Sequence, residues 1–475
     1  MKTIALPLAL FLPAAVVTQT SCTPQSSPLV FTHVTVIDVG ATSSTQALRP
    51  NQTVIITRQR ITAVGETGKL QEPAGAQVVD ATGKFLMPGL WDMHVHMNDS
   101  ASFLKLFLAN GVTGVRDMGS DLQLVLDLRE QIASGAVLGP RIVTSGPNFS
   151  GMRRRTDHIS TAEEARAAVR QRKQAGADFI KLHSLLPPDA FFAAVDEANK
   201  QGLTAVGHVT LGVKVSDAAK AGLKSIEHLE GVLIETNDLE DDLRQEISVL
   251  IREGRLQHPQ IHLDLALRYR DSYSPERAQR LAALFADLET WQCPTIIGPE
   301  TQALASDAMA GGFVGYPNLR YIPLEIRESR SRDNRFSPAQ VANLKVLAAS
   351  WRELAAVMHR AGVPFLAGTD AYGGRMLLPG FSLHDELSIF VQVGFSSLEA
   401  LQTATINPAR FLDREDELGT VEPGKLADLV LLDANPLDDI ANTRRISAVV
   451  VNGRLLQKDA LQRMLDEVEA AANGR

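Results

Sequence analysis

The histidines of Gly89-Leu90-Trp91-Asp92-Met93-His94-Val95-His96 stand two apart in a short, largely apolar run. In a β-strand, residues two apart point to the same side, so His94 and His96 could ligate one metal ion. Taken alone, such a pair is as readily coincidence. Three further polar groups close apolar runs in the same manner: His208 in Thr204 to Val209, His228 in Lys224 to Leu229, and Asp370 after Val363. Polar side chains at the ends of buried strands are costly to desolvate unless something binds them. Four histidines and a carboxylate suit zinc, with manganese, cobalt or iron open by ligand type. Lys181, in Phe179-Ile180-Lys181-Leu182-His183, carries the wrong charge for a place beside cations. Desolvated and deprotonated, it can take up carbon dioxide and become a carbamate, an anion able to bridge two metals. A lysine snorkelling from a strand end is the plainer alternative. Six ligands of these types exceed what one four-coordinate ion uses, so two divalent ions are expected.

The elements that must position these groups repeat after residue 100: an amphipathic helix, a glycine, then a short apolar strand. Gly111, Gly176, Gly202, Gly222 and Gly362 stand where helices end in a left-handed cap. The strands read as Val112 to Asp117, Asp178 to His183, Thr204 to Val209, Lys224 to Leu229 and Val363 to Asp370. Gly89 to His96, Arg141 to Ser145 and Gln292 to Ile297 bring the count to eight. Thr161 with Glu164, and Ser337 with Pro338, give helix starts. Alternating helices and buried strands predict an α/β fold, a (β/α)8 TIM barrel over 87–418, with the polar groups at strand carboxyl ends where barrel enzymes place catalysis.

The flanks read differently. Short β-branched runs over 28–86 and 419–458, with Asn452-Gly453 as a hairpin turn, predict one small β-sandwich built from both chain ends. A helix is expected over 459–475. Residues 234–291 exceed an ordinary barrel connection and are read as a lid over the site, a packing insert or dimer contact being equally open. They include a helix starting at Ser274-Pro275, with Leu281, Leu284, Phe285 and Leu288 on one face.

A net charge of −8 over 475 residues leaves no broad basic face for nucleic acid. Residues 1–22 read as a signal peptide: the apolar run from Ile4 to Val17 is shorter than the roughly 20 residues a membrane span needs. An exported, periplasmic or extracellular protein is expected. Ser21-Cys22 resembles a lipoprotein cleavage site, although Gln19 stands where an aliphatic residue is usual, so a lipid anchor at Cys22 is left open, as is homo-oligomerisation. With only Cys22 and Cys293, stability must come from the core rather than from a disulfide framework.

Pro88-Gly89-Leu90 before the His-x-His, Gly207-His208, Ile226-Glu227-His228, Ala367-Gly368-Thr369-Asp370 and the tail Gly419 to Leu429 together resemble the amidohydrolase superfamily, in its branch of imidazolonepropionase-like proteins and prolidase-like dipeptidases. The likeness covers roughly residues 30 to 455. It implies that His94 and His96 hold a buried metal, that carboxylated Lys181 and a hydroxide bridge, that His208 and His228 hold the outer metal, and that Asp370 binds and acts as base. The implied reaction is hydrolysis of a small amide, a dipeptide or N-acyl amino acid. A lactonase or phosphotriesterase uses the same ligands. A mononuclear deaminase of this family carries a glutamate three residues after the fifth-strand histidine, where this chain has Leu211. A binding protein without turnover is a third alternative.

Substrate contacts are less defined. The third strand leads into Gly151-Met152-Arg153-Arg154-Arg155 rather than the histidine many dipeptidase relatives supply, and Arg153 and Arg154 could meet a substrate carboxylate or form a solvated loop. His183, on the strand face of Lys181, and Tyr372 and His384, after the eighth strand, are further candidates, with packing roles as the alternative.

Overall fold

Strands in the middle of the chain are buried on both faces, whereas several near the N-terminus run out toward solvent. The computed structural model describes residues 27–97, 101–151, 158–229, 231–253, 263–302, 318–325, 337–371 and 377–474. Residues 1–22, read above as a signal peptide, lie outside the described residues, Cys22 included.

The chain begins with β1 (Leu29–Ile37), β2 (Leu48–Thr57), β3 (Arg60–Glu66), β4 (Gln77–Asp80) and β5 (Phe85–Pro88). The middle supplies β6 (Leu90–Val95), β7 (Val112–Asp117), β8 (Arg141–Thr144), β9 (Phe179–Leu182), β10 (Thr204–Gly207), β11 (Ser225–Glu227) and β12 (Trp291–Cys293). Near the C-terminus come β13 (Leu429–Leu432), β14 (Ile446–Val451) and β15 (Arg454–Gln457).

Both chain ends join in one eight-stranded sheet, ordered β15-β14-β13-β5-β1-β2-β3 with β4 beside β1. Its inward residues, among them Phe31, Val34, Val54, Leu86, Leu429, Leu431 and Val450, share one buried cluster. β14 and β15 pair antiparallel across Asn452-Gly453, whose φ angles of 50° and 73° suit a tight hairpin turn. A side chain at Gly453 would lie 1.7 Å from the Arg58 carbonyl oxygen, so only glycine fits there.

The middle strands form two parallel sheets, β6-β7-β8 and β12-β11-β10-β9. Every residue of β6, β7, β9, β11 and β12 is buried, as expected where helices cover a parallel sheet. The fold is therefore mixed α/β with parallel sheets. Asp178 N donates to Thr144 O at 2.8 Å, and Phe149 bridges Leu182, joining the edges of β8 and β9. The segment expected as an eighth strand, Val363 to Asp370, makes single parallel bridges instead of a ladder. Phe365 pairs with Gln292 of β12, and Ala371 with Val95 of β6.

Local signals explain the helices. Thr161 with Glu164 and Ser337 with Gln340 form reciprocal capping boxes at the starts of Ala162–Gln174 and Pro338–Arg360. Between β11 and β12 lie Val232–Glu235, Glu240–Arg252, Ala266–Asp271 and Pro275–Asp287. The last of these buries Ala278, Leu281, Ala282 and Phe285 and runs almost directly into β12. Leu288, expected on the same face, is exposed. The C-terminal helix, Lys458–Ala472, packs against Ala101–Ala109, with Lys105 and Glu467 paired at 2.6 Å. No helix among the described residues is long and apolar enough to cross a membrane.

Candidate metal centre

His94 and His96 reach a common neighbour from the end of β6. Asp370 Oδ1 lies 3.7 Å from His94 Nε2 and 3.1 Å from His96 Nε2. Ligand atoms of these three residues all fall within 4.8 Å of one another. The other rings continue the cluster: His94 is 4.5 Å from His228, His228 4.9 Å from His208, and His208 4.6 Å from His183, between centroids. Lys181 is buried on β9, and its charge acts on both His94 and His228.

Three imidazoles are oriented through Nδ1. His94 Nδ1 meets Glu227 Oε2 at 2.7 Å, His208 Nδ1 meets Ser184 Oγ at 2.6 Å, and His228 Nδ1 meets Thr295 Oγ1 at 2.6 Å. Such contacts on the distal nitrogen turn the other nitrogen toward a metal. His94 Nε2 is buried and makes no hydrogen bond, although it faces the space shared with His96 and Asp370. Imidazole nitrogens and a carboxylate around that atom fit a divalent cation.

The backbone is bent to make this convergence. His228, Thr295 and Asp370 have φ angles of 59°, 48° and 60°, a region that non-glycine residues rarely occupy. Surrounding hydrogen bonds hold Asp370 there: its N–H donates to His94 O at 2.7 Å, and Asp92 accepts from Thr369 N at 3.0 Å and Thr369 Oγ1 at 2.7 Å. Burial pushes the Asp92 carboxyl up to about 7, those hydrogen bonds opposing the shift. For Asp370, burial raises the pKa, but the His96 hydrogen bond and the fields of His228, His94 and His96 outweigh it and hold the carboxyl well below its usual range. Burial, then the Lys181 charge, push His94 down to about 3; burial and His94 likewise lower His228. Burial thus favours the neutral form of His94 and His228, the form in which an imidazole ligates.

The structure brings His94, His96, Lys181, His183, His208, His228 and Asp370 into one neighbourhood. It does not bring His384 there, which corrects its reading as a substrate contact. Buried on helix Phe381–Gln392, His384 engages Thr443 Oγ1 at 2.9 Å and the Asn110 carbonyl oxygen at 3.0 Å. Asn110 precedes β7, at the strand end opposite the metal ligands, so both ring nitrogens serve packing between elements. Arg153, Arg154 and Tyr372 lie outside the described residues. Sequence reasoning passed over Glu227, Ser184 and Thr295, which hydrogen-bond to candidate ligands, and Asp92 and Arg116, which bond to their neighbours. A signal existed for Arg116: an arginine inside the otherwise apolar run that starts at Val112 needs a buried partner.

The amidohydrolase family model matches residues 85–244 and 315–456, and the chain belongs to this family. The 5-methylthioadenosine/S-adenosylhomocysteine deaminase of Symbiobacterium thermophilum is 34% identical over 140 residues, which are 25% of this chain and 31% of that protein. Ochratoxinase of Aspergillus niger is 23% identical over 426 residues, covering 75% of this chain and 71% of its own. A crystal structure from Bifidobacterium longum, assigned as a prolidase, is 26% identical with a TM-score of 0.64, covering 94% of this chain and 100% of that one.

Proposed function

We propose that this chain is a metal-dependent hydrolase of small amides, cleaving a dipeptide or N-acyl amino acid. Its two parallel sheets and the segment after Val363 close as a (β/α)8 barrel, the end-built sheet folding over as a β-sandwich. The observation that carries this reading is the convergence of His94, His96 and Asp370 within 4.8 Å, continued by the rings of His228, His208 and His183. His94, His96 and Asp370 would hold one divalent ion, His208 and His228 a second, and Lys181, as its carbamate, would serve both; zinc suits these donors. Such ions supply carbonyl polarisation and a nucleophile active near neutral pH. Asp370, whose carboxyl the His96 hydrogen bond helps hold well below its usual range, accepts the proton of the attacking water and delivers it to the leaving nitrogen. His183, packed on His208, faces the substrate, Arg153 and Arg154 meet its free carboxylate, and Tyr372 is a further substrate contact.

Likeness to a prolidase supports a dipeptide-sized substrate, and likeness to ochratoxinase supports amide bonds beyond ordinary peptides. A deaminase reading draws on the Symbiobacterium relative. Against it stands Leu211, buried and apolar where the family's deaminases carry an acid. The leader in residues 1–22 makes the enzyme an exported one.

The test is a screen of the zinc-loaded protein against dipeptides, N-acyl amino acids, lactones, phosphotriesters and adenosine derivatives. Amides are expected to be turned over fastest. Faster turnover of lactones, phosphotriesters or an aminopurine would overturn the assignment.

A further inference from the structure

Arg116 is the largest fully buried side chain among the described residues. It comes from β7 and makes four polar contacts. Nε donates to Met93 O at 2.5 Å, Nη1 to Ser225 Oγ at 3.2 Å, and Nη2 to Glu227 Oε1 and Oε2 at 2.9 and 3.1 Å. Its guanidinium also lies over the rings of Phe411 and Phe179, at 5.0 and 5.8 Å. Ser225 Oγ donates to Glu227 Oε1 at 2.5 Å. Glu227 is fully buried, and its Oε2 is the atom that meets His94 Nδ1.

A stability rationale for this pair is weak, because well-packed apolar residues often replace a buried ion pair without loss. The hydrogen-bond arithmetic gives a better one. A neutral imidazole carries its proton on one nitrogen only. Glu227 receives donors from Arg116 and Ser225, so it stands as an acceptor. Its contact with His94 therefore needs the proton on Nδ1, leaving the lone pair on Nε2, the buried atom that faces His96 and Asp370. Met93 O, bound by the same guanidinium, belongs to the residue just before His94, so backbone and ring are fixed together. We propose that Glu227, clamped by Arg116, is a positioning residue that sets the His94 tautomer and so selects for metal at the inner site. The inference rests on the metal-centre reading above, and it assigns the work to two residues outside the proposed ligand set.

Zinc binding is measured by competition with a chromophoric chelator in wild type, Glu227→Gln, Ser225→Ala and the double variant Arg116→Met/Glu227→Leu. Histidine nitrogen shifts are recorded by NMR on the metal-free proteins. In wild type His94 should show a protonated Nδ1. Glu227→Gln should weaken the tighter zinc by about 10–100-fold, and its His94 should lose the single-tautomer signature. Ser225→Ala, which leaves the Glu227 contact intact, should bind nearly as wild type. The double variant removes both charges together, so no lone buried ion destabilises it. Its metal-free thermal midpoint should stay near wild type while zinc binding remains weak. If it folds and binds zinc as tightly as wild type, or if metal-free wild type carries the proton on Nε2, the positioning role is overturned. If wild type itself binds no zinc, the metal-centre reading fails instead, and this inference with it.

Discussion

The sheet built by the two chain ends and the strand ends in the middle of the chain solve different problems with similar material. In the outer sheet, residues with unusual backbone lie near solvent, Arg58 and Asn452 at turns and His33 and Asn51 within β1 and β2: their φ angles fall between 50° and 57° and they are exposed or half-buried. Its core is aliphatic with Phe31, and its ion pairs, such as Arg60–Glu417 and Lys84–Asp433, are partly exposed. In the middle, the same backbone region is occupied by buried His228, Thr295 and Asp370, and the buried charges Asp92, Arg116, Lys181 and Glu227 lie within the strands. Strain and buried charge are unfavourable for folding. Their concentration at one set of strand ends marks where geometry serves chemistry, while the outer sheet and the helix layer supply cohesion.

Substitutions should separate the two regions cleanly. The largest effect is expected for Lys181→Ala and Lys181→Arg, both of which should lose metal and fall to background activity, since neither side chain can become a bridging carbamate. Elemental analysis alongside turnover checks this, and full activity in Lys181→Arg would remove the carbamate. Next, Asp370→Asn should keep the fold and most metal while kcat drops about 10²–10⁴-fold, the range for losing a general base. In the outer sheet, Leu431→Ala should cost about 2–5 kcal/mol in urea unfolding and leave kcat per folded molecule unchanged. A marked loss of kcat there would blur the division.

The smallest effect concerns Glu386, which accepts backbone N–H bonds from Ile296 and Ile297 at 2.9 and 2.8 Å, just past Thr295. Burial pushes its carboxyl up to about 8 from 4.5. A raised carboxyl pKa means that the folded state holds a proton the unfolded chain releases. This stabilisation is complete below pH about 4.5 and is lost as pH rises through about 8. Glu386→Gln should flatten that fall between pH 5 and 9, read from unfolding midpoints; an unchanged slope would mean that Glu386 titrates normally.

Much of this division was legible in the sequence, because periodicity and turn chemistry act locally. The five helix-ending glycines named at the outset all have positive φ, and the Asn452-Gly453 hairpin forms where expected. The metal-ligand candidates were legible for a related reason: a polar residue closing an apolar strand stands out without knowledge of its partners. What orients them was not. Arg116 and Glu227 are 111 residues apart, and Asp92 and Thr369 are 277 apart, so no local pattern pairs them. For His384, nearness in sequence to the eighth strand is not nearness to its carboxyl end, and the packing role is the one it fills. The chain instead turns at Gly380, with a φ of 78°, so tightly against Asn110 and Leu106 that a side chain there would clash.

The most direct test of the central claim is an anomalous difference map at the zinc edge from crystals of the zinc-loaded protein. Two peaks are expected, one among His94, His96 and Asp370 and one between His208 and His228, with density for a carboxylated Lys181 reaching both. A map with no peak among these residues, or with an unmodified amine on Lys181 between two occupied positions, would contradict the account.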